Sequence, residues 1–180
     1  MGYGVIDVTG GKPAYVAHGV IAPGASAPLD QRLHVIYTQL LQVLRVFAPT
    51  AVAVEGVFQH KNARSALILG HARGVALLAA ATERMTLFEY APARVKRAVG
   101  AGGADGKDAV ARMVTLQLGL ATALERADAY DALAVAICHA HSLRVPTLAS
   151  ATSNRRAKSR VPDSWTDRLK PSVVRPSVGP

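Results

Sequence analysis

One short apolar run limits the folds open to this chain of 180 residues more than any other feature. The run Thr50-Ala-Val-Ala-Val-Glu55 does not alternate polar and apolar residues, which is typical of a strand buried on both faces. Before it, apolar residues recur at helical spacing from Leu33 to Phe47, and Pro49 ends this predicted amphipathic helix. After it, a long Ala- and Leu-rich helix is predicted from about Asn62 to Arg84. A buried strand between two helices indicates an α/β domain.

The remaining elements extend this pattern in both directions. Two β-rich runs at the start of the chain are separated by Gly10-Gly11, a pair that tolerates the positive φ of a tight turn and therefore predicts a hairpin. The order of elements predicts a mixed sheet covered by helices. The predicted ranges are strands at 3–8, 14–22 and 86–90, a Gly-rich loop at 100–106, and helices at about 107–120 and 128–143.

The chain divides by composition into a domain and a tail. A mass of 18.9 kDa leaves room for one domain with its own core. Beyond Val145 the composition shifts to Ser, Arg and Pro. We therefore expect residues 1–149 to form the domain and residues 150–180 to form a basic, flexible tail, in which Trp165 is a docking residue rather than part of the core.

The net charge of +9, with a pI near 10.2, suits a polyanionic partner. From Ala151 onward the chain has seven basic and two acidic residues, so about half of the net charge lies in the tail. Basic tails are often only solvated. Charge alone therefore leaves a nucleic-acid partner and a merely basic surface as equal alternatives.

The cysteine content and the chain start bear on the compartment. The single cysteine, Cys138, excludes an internal disulfide and fits a reducing environment, and its apolar neighbours predict a buried, inert thiol. The start Met1-Gly2-Tyr3-Gly4 lacks a signal-peptide pattern, and we find no apolar stretch approaching the roughly 18–20 residues of a membrane span. We expect a soluble, cytoplasmic protein with no membrane partner.

Three carboxylates stand where apolar residues are expected. Glu55 ends the buried strand, and ligands bind at the carboxyl ends of strands in open α/β sheets. Asp128 and Asp131 open an otherwise apolar helix, and at this spacing their Cβ atoms lie roughly 5–6 Å apart. The simpler interpretation is a helix cap and a first-turn acid. The addition of Glu55 favours a metal site of the phosphodiesterase type.

The basic residues near these acids favour contacts with DNA. In the loop after Glu55, Phe58 can stack on a base, while Lys61 and Arg64 can reach phosphates. An equally good alternative for Phe58 is a half-buried anchor of the loop. A second basic group precedes the Gly-rich loop and fits contacts with a DNA backbone: Arg94, Lys96 and Arg97.

Two cofactor motifs are excluded by their details. The Gly-rich segment has Ala101 and Asp108 where a phosphate-binding loop needs Gly and Ser or Thr, so no nucleotide cofactor is expected. The histidines form no zinc motif, because His139 and His141 lie on different sides of a helix.

Taken together, seven segments resemble the RuvC family of Holliday-junction resolvases in order and spacing, over about residues 2–144. They are Gly2-Tyr-Gly-Val-Ile6, Ala53-Val-Glu55-Gly-Val-Phe58, Lys61-Asn62, Ser65-Ala-Leu67, Gly70-His-Ala-Arg-Gly-Val75, Val95-Lys96 and Asp128-Ala-Tyr-Asp131 through His139. The resemblance implies an RNase H-like fold and a homodimer that binds four-way junction DNA. It also implies paired symmetric nicks in homologous recombination and DNA repair, with the RuvA–RuvB branch-migration complex as a further partner.

The resemblance also implies roles for individual residues. Three carboxylates would be catalytic metal ligands, Glu55, Asp128 and Asp131, holding Mg²⁺ or Mn²⁺ with two ions per active site. Lys107 would be a further catalytic residue, and with Lys96 it would lie near the scissile phosphate. Phe58 would be the wedge-like aromatic. The implied DNA-contacting set is Phe58, Lys61, Asn62, Arg64, Lys96 and Lys107.

Two further implications concern packing. The helix from Asn62 to Arg84 matches the family's dimer-forming helix, in which small residues would allow close approach of the partner. These are the Ala and Gly residues at 70, 72, 74, 76 and 79–81. Tyr130 replaces a usually small residue between the two aspartates, and we expect it on the solvent side.

The departure from the family is at the start of the chain. The family opens with a hydrophobic strand that ends in Asp-Pro-Gly, whereas here Met1 directly precedes Gly2. The first strand and the first catalytic aspartate are therefore missing, and Asp7 lies too far along to replace it. We expect the functional protein to begin upstream. The alternatives are a catalytically impaired four-way-junction binding protein and a relative acting on RNA or single strands.

Overall fold

The computed structural model describes residues 1–56, 63–101 and 107–143, and for Lys107 the backbone alone. The tail expected at 150–180, with Trp165, lies outside the described residues, so the predicted domain boundary stays a prediction. Phe58 and the pair Lys61-Asn62 also lie outside them.

The hairpin predicted at the start of the chain is confirmed. Strands β1 (Gly2–Thr9) and β2 (Lys12–Val20) pair antiparallel along their whole length. The turn consists of Gly10 and Gly11 alone, with φ of 59° and 76°. Positive φ at both positions is what a two-residue hairpin turn with the twist of the strands requires.

The helix predicted from Leu33 is α1 (Leu29–Phe47), which begins one turn earlier. At its end, Ala48 adopts a left-handed backbone with φ 41°, and its N–H donates to the carbonyl oxygen of Leu44. Pro49 follows and cannot continue the helix. The predicted end of α1 is therefore confirmed.

The long second helix, α2 (Ala63–Thr82), packs against α1. Its own Arg73 donates to the carboxylate of Glu89 on the neighbouring strand. Among the described residues, α2 is the one helix long and apolar enough to cross a membrane by length and composition. The expectation that no apolar stretch reaches this length was therefore wrong for α2, whose apolar surface is largely uncovered.

Strands β3 (Ala51–Glu55) and β4 (Thr86–Tyr90) pair in parallel, and their last residues, Glu55 and Tyr90, are register partners. The residues of β3 before Glu55 are only partly buried, which corrects the prediction of a strand buried on both faces. Within the described residues, this pair and the hairpin are two separate sheets, whereas the sequence predicted one mixed sheet.

A short helix that the sequence analysis did not predict follows β4. This helix, α3 (Pro92–Val99), begins with Pro92 at its first turn and buries Val95 and Val99, which lie one turn apart. It ends at Gly100, whose φ of 80° suits glycine. Because the helix has eight residues and only two core positions, its periodicity was too short to recognise.

The core forms around α4 (Lys107–Leu118) and α5 (Ala127–Leu143). The last helix, α5, contacts all four strands and so joins the two sheets. Its residues Leu133 and Ile137 are fully buried, and Cys138 is 1% exposed, as predicted. Burial raises the pKa of the Cys138 thiol, which keeps it protonated and unreactive.

One prediction about α5 is wrong. Tyr130 does not lie on the solvent side, because its ring packs against the core. Its hydroxyl accepts a hydrogen bond of 2.8 Å from the backbone N–H of Leu124. Tyr130 thereby holds the segment that leads into α5.

Candidate active site

Glu55 is the last residue of β3. The N–H of the next residue, Gly56, donates to the carbonyl oxygen of Tyr90 at 2.8 Å, which fixes the end of β3 against β4. Although Glu55 as a whole is exposed, loss of surrounding water raises the pKa of its carboxyl, and the charge of Asp131 raises it further. The ammonium group of Lys96 acts in the opposite direction.

The helix α5 carries the two aspartates near its start. Asp131 is exposed and acts electrostatically on Glu55, so the structure brings these two predicted site residues together. Asp128 lies in the first turn, with its Oδ2 3.9 Å from the amino group of Met1. Because α5 begins at Ala127, Asp128 is a first-turn acid and not the helix cap that the simpler interpretation assigned to it.

Lys96 reaches the site from α3, the helix missed by the sequence analysis. It is exposed in the last turn of α3, and its charge lowers the pKa of Glu55. A cation beside two carboxylates, open to solvent, is suited to attract a phosphate. Lys107 is the first residue of α4, and its backbone alone is described.

The chemistry of the carboxylates suits a hard divalent cation, but their geometry limits how many of them converge on one ion. Carboxylate oxygens are the ligands that Mg²⁺ and Mn²⁺ prefer, and Glu55 and Asp131 are close enough for each charge to disfavour the other. A cation between them would relieve this repulsion. Within residues 1–56, 63–101 and 108–143, however, no three side chains of His, Cys, Asp or Glu converge as a closed metal cluster. The pair Glu55 and Asp131 fits such a cation.

Only some of the predicted DNA-contacting residues lie among the described residues. Arg64 is exposed near the start of α2, and Lys96 is beside Glu55. Phe58, Lys61 and Asn62 lie outside the described residues.

Two of the three basic residues in α3 bond within the chain. Arg94 donates to Ser142 Oγ at 2.9 Å, and Arg97 donates to the carbonyl oxygen of Ala93 at 3.3 Å. Of the three, Lys96 therefore remains the strongest candidate for a phosphate contact.

Sequence reasoning missed the aromatic side chains beneath the site. The Tyr90 hydroxyl lies 2.8 Å from Nδ1 of His139, and the Phe88 ring lies 4.4 Å from the His139 ring, centroid to centroid. His139 was considered only as a zinc ligand. The sequence signal that could have identified Tyr90 was its position, because it ends its strand just as Glu55 ends the adjacent one.

Comparison with known proteins identifies the family. The family model described as crossover junction endodeoxyribonuclease RuvC matches residues 1–139. The chain belongs to the RuvC family. Its predicted resemblance is thus confirmed, and the family consists of nucleases that act on crossover junctions.

Individual RuvC relatives match over most of their length. The chain is 54% identical to the crossover junction endodeoxyribonuclease RuvC of Myxococcus xanthus over 179 residues, which covers 99% of this chain and 93% of the relative. It is 45% identical to the RuvC of Dehalococcoides mccartyi over 144 residues, covering 80% and 87%.

Solved RuvC structures confirm the RNase H-like fold. The Thermus thermophilus RuvC structure matches with a TM-score of 0.71 and 35% identity, covering 79% of this chain and 88% of that one. The structure of T. thermophilus RuvC in complex with Holliday junction substrate also matches with a TM-score of 0.71, at 34% identity, covering 80% and 88%. The scaffold that holds Glu55 and Asp131 is therefore that of a RuvC nuclease.

Proposed function

We propose that this protein is a structure-specific endonuclease that resolves Holliday junctions by paired symmetric nicks in recombination and repair. The observation that carries the proposal is the approach of Glu55, Asp131 and Lys96 from three elements in a chain of the RuvC family. Two carboxylates beside a lysine, open to solvent, form a site for a cation and a phosphate together.

The proposed reaction is hydrolysis of a phosphodiester. A water oxygen attacks phosphorus and loses a proton, while one bridging P–O bond breaks and the leaving oxygen gains a proton. A bound divalent cation would supply positive charge that activates the water and stabilises the leaving oxygen. The RuvC family needs such a metal; the finer proposal is Mg²⁺ or Mn²⁺, with two ions per site.

The chain's own residues have distinct tasks in this scheme. Glu55 and Asp131 would hold the cation, and Asp128 would join them as a third ligand. In the absence of a cation, desolvation and the charge of Asp131 raise the pKa of the Glu55 carboxyl. Lys96 would orient the phosphate beside this pair, with Lys107 as a second lysine.

The remaining proposed DNA contacts flank this site. Phe58 would be the aromatic that distorts the junction, and Lys61, Asn62 and Arg64 would contact the backbone around it. Arg64, at the start of α2, is exposed, which supports this assignment.

A homodimer through α2 is part of the proposal. The exposed face of α2 carries Leu67 (65% exposed) and Leu78 (57% exposed) at the same angular position, with Gly70 and Gly74 between them. Open space surrounds both glycines, so a second helix can approach closely. Ala76, Ala79 and Ala80 do not belong to this face, because they are buried against the chain's own core.

The proposal also covers the cellular compartment and the protein partner. A protein that acts on chromosomal junctions would work in the cytoplasm, and the RuvA–RuvB complex is the proposed partner that delivers the junction. Co-purification with those two proteins on a synthetic four-way junction tests the partnership.

The test of function is cleavage of a synthetic four-way junction, with linear duplex, single-stranded DNA and an RNA–DNA hybrid of the same sequence as controls. Paired nicks in the junction alone, requiring Mg²⁺ or Mn²⁺ and abolished by chelation, support the proposal. Tight junction binding without nicks at any metal concentration contradicts it and favours a junction-binding protein. That second function is the one favoured by the lack of a three-ligand cluster within the described residues.

A further inference from the structure

Tyr90 is the buried end of β4, at 5% exposure, directly beside the last residue of β3. Its carbonyl oxygen accepts the hydrogen bond from Gly56, the residue after Glu55. The backbone of Tyr90 therefore fixes the point at which the chain carrying Glu55 leaves the sheet.

The side chain of Tyr90 reaches α5. Its hydroxyl lies 2.8 Å from Nδ1 of His139, and the two rings are 5.9 Å apart, centroid to centroid. His139 is also in ring contact with Phe88 on the same strand as Tyr90. The contact is directional and partly buried, so it sets how α5, which carries Asp131, lies on the parallel pair.

The face of the Tyr90 ring engages α3. The guanidinium carbon of Arg94 lies 5.0 Å from the ring centroid, a cation–π contact, and the same guanidinium donates to Ser142 Oγ of α5 at 2.9 Å. Arg94 precedes Lys96 by two residues on one short helix. Arg94, whose position before the Gly-rich loop is compatible with a DNA contact, is exposed and bonds within the protein.

The geometry points to Tyr90 as a positioning residue of the nuclease site, which ties together β3, α3 and α5, the elements that carry Glu55, Lys96 and Asp131. This inference rests on the proposed function. Tyr90 does not touch the reacting atoms; it acts through His139 and Arg94. Because the electrostatic coupling of the three site residues falls with distance, a small displacement of α3 or α5 changes how the site holds cation and phosphate.

The direct test is Tyr90→Phe, which removes only the hydroxyl. Tyr15→Phe is the matched control, because the Tyr15 hydroxyl also lies 2.8 Å from a histidine Nδ1, that of His18, but on the exposed hairpin. We expect Tyr90→Phe to lower kcat for junction cleavage about 10-fold and to raise the metal concentration for half-maximal cleavage, with junction Kd within 2-fold of wild type. Tyr15→Phe should leave all three unchanged.

A readout independent of activity separates this proposal from the proposed function. In metal-free, DNA-free protein, Tyr90→Phe should speed amide hydrogen exchange in α5 about 5-fold, as expected for loss of its one hydrogen bond to His139, while Tyr15→Phe should not. Unchanged exchange in α5 overturns the positioning role whatever the activity. A wild-type protein that fails to cut junctions overturns the proposed function. Faster exchange in Tyr90→Phe would still support the role of Tyr90 in holding β3, α3 and α5 together.

Rescue distinguishes positioning from general stability. Arg94→Lys keeps a cation over the Tyr90 ring and should retain most of kcat, whereas Arg94→Ala should lose as much kcat as Tyr90→Phe. If the activities of all three variants simply follow their melting temperatures, or if kcat and junction affinity fall together, the role of Tyr90 is only structural and the inference is wrong.

Discussion

Glu55 and Asp131 lie 76 positions apart in the chain, yet the charge of Asp131 raises the pKa of the Glu55 carboxyl. The effect requires the end of β3 to face the start of α5 across the edge of the parallel pair. Two acids held together in this way at a solvent-open edge are less stable than the same acids apart unless a proton or a cation lies with them. This relationship is the physical basis of the proposed metal site.

The carboxylates should matter for cutting and not for binding. Asp131→Asn and Glu55→Gln keep shape but remove a proposed ligand, so junction cleavage should fall by more than about 100-fold. Junction affinity should hold or rise, because repulsion of phosphates is reduced. Cleavage rates under single-turnover conditions and gel-shift titrations give both quantities, with Asp30→Asn, an exposed first-turn acid of α1, as the control. Normal cutting by either variant would show that the metal site has been assigned wrongly.

Junction binding should weaken steeply with salt, because lysines and arginines release counter-ions from the phosphates. Lys96→Gln should reduce the slope of log Kd against log salt by about one, as expected for one lost phosphate contact. Lys12→Gln, at the exposed turn of the hairpin, is the charge-matched control. An equal change of slope in both variants would mean that Lys96 contributes only general charge.

Disruption of the exposed face of α2 should convert the proposed dimer into a monomer. Leu78→Glu places a charge in the proposed interface, and light scattering at micromolar concentrations should report half the mass. Leu116→Glu is the matched control, since this leucine is 74% exposed on α4. A wild-type monomer excludes the interface. Partition of the wild-type protein into neutral lipid vesicles, abolished by Leu78→Glu, would instead make the face a membrane contact.

Stability should fall as the pH is lowered through the range of His139. Burial lowers the pKa of His139, so the unfolded chain takes up this proton at a higher pH than the folded protein does. The stability linked to neutral His139 is complete above the ordinary histidine pKa of about 6.5 and is lost as the pH falls from there through the lower folded pKa. Melting temperatures between pH 7.5 and 5 should decline less in His139→Gln than in wild type. His34→Gln, on the exposed side of α1, should keep the wild-type slope.

Removal of the Tyr130 hydroxyl should destabilise the start of α5. Tyr130→Phe leaves the Leu124 N–H without its partner, at a cost of about 1 kcal/mol in the free energy of unfolding. Urea unfolding measures this cost, and Tyr37→Phe, whose hydroxyl contact with Thr82 is exposed, should cost less. If Tyr130→Phe is as stable as wild type, the segment before α5 is held by other contacts.

The sequence by itself determined the local elements of this protein and its family. A Gly-Gly pair between two β-rich runs fixes the hairpin turn, because only its own backbone angles are involved. The spacing of apolar residues fixes α1 and α5, and Pro49 fixes where α1 ends. The three carboxylates were found in the same way, since an acid at the end of an apolar strand or at the start of an apolar helix conflicts with its neighbours in the chain.

The tertiary structure alone decided which of these residues meet. It brought Asp131 to Glu55, placed Asp128 beside the Met1 amino group, and bonded Arg94 of α3 to Ser142 of α5. It also joined Tyr90 to His139 across 49 residues. Periodicity reports which face of an element is apolar, but it does not report the angle and register at which two elements cross. Those two quantities depend on the packing of side chains from both elements, so contacts between distant residues follow only from the packed core.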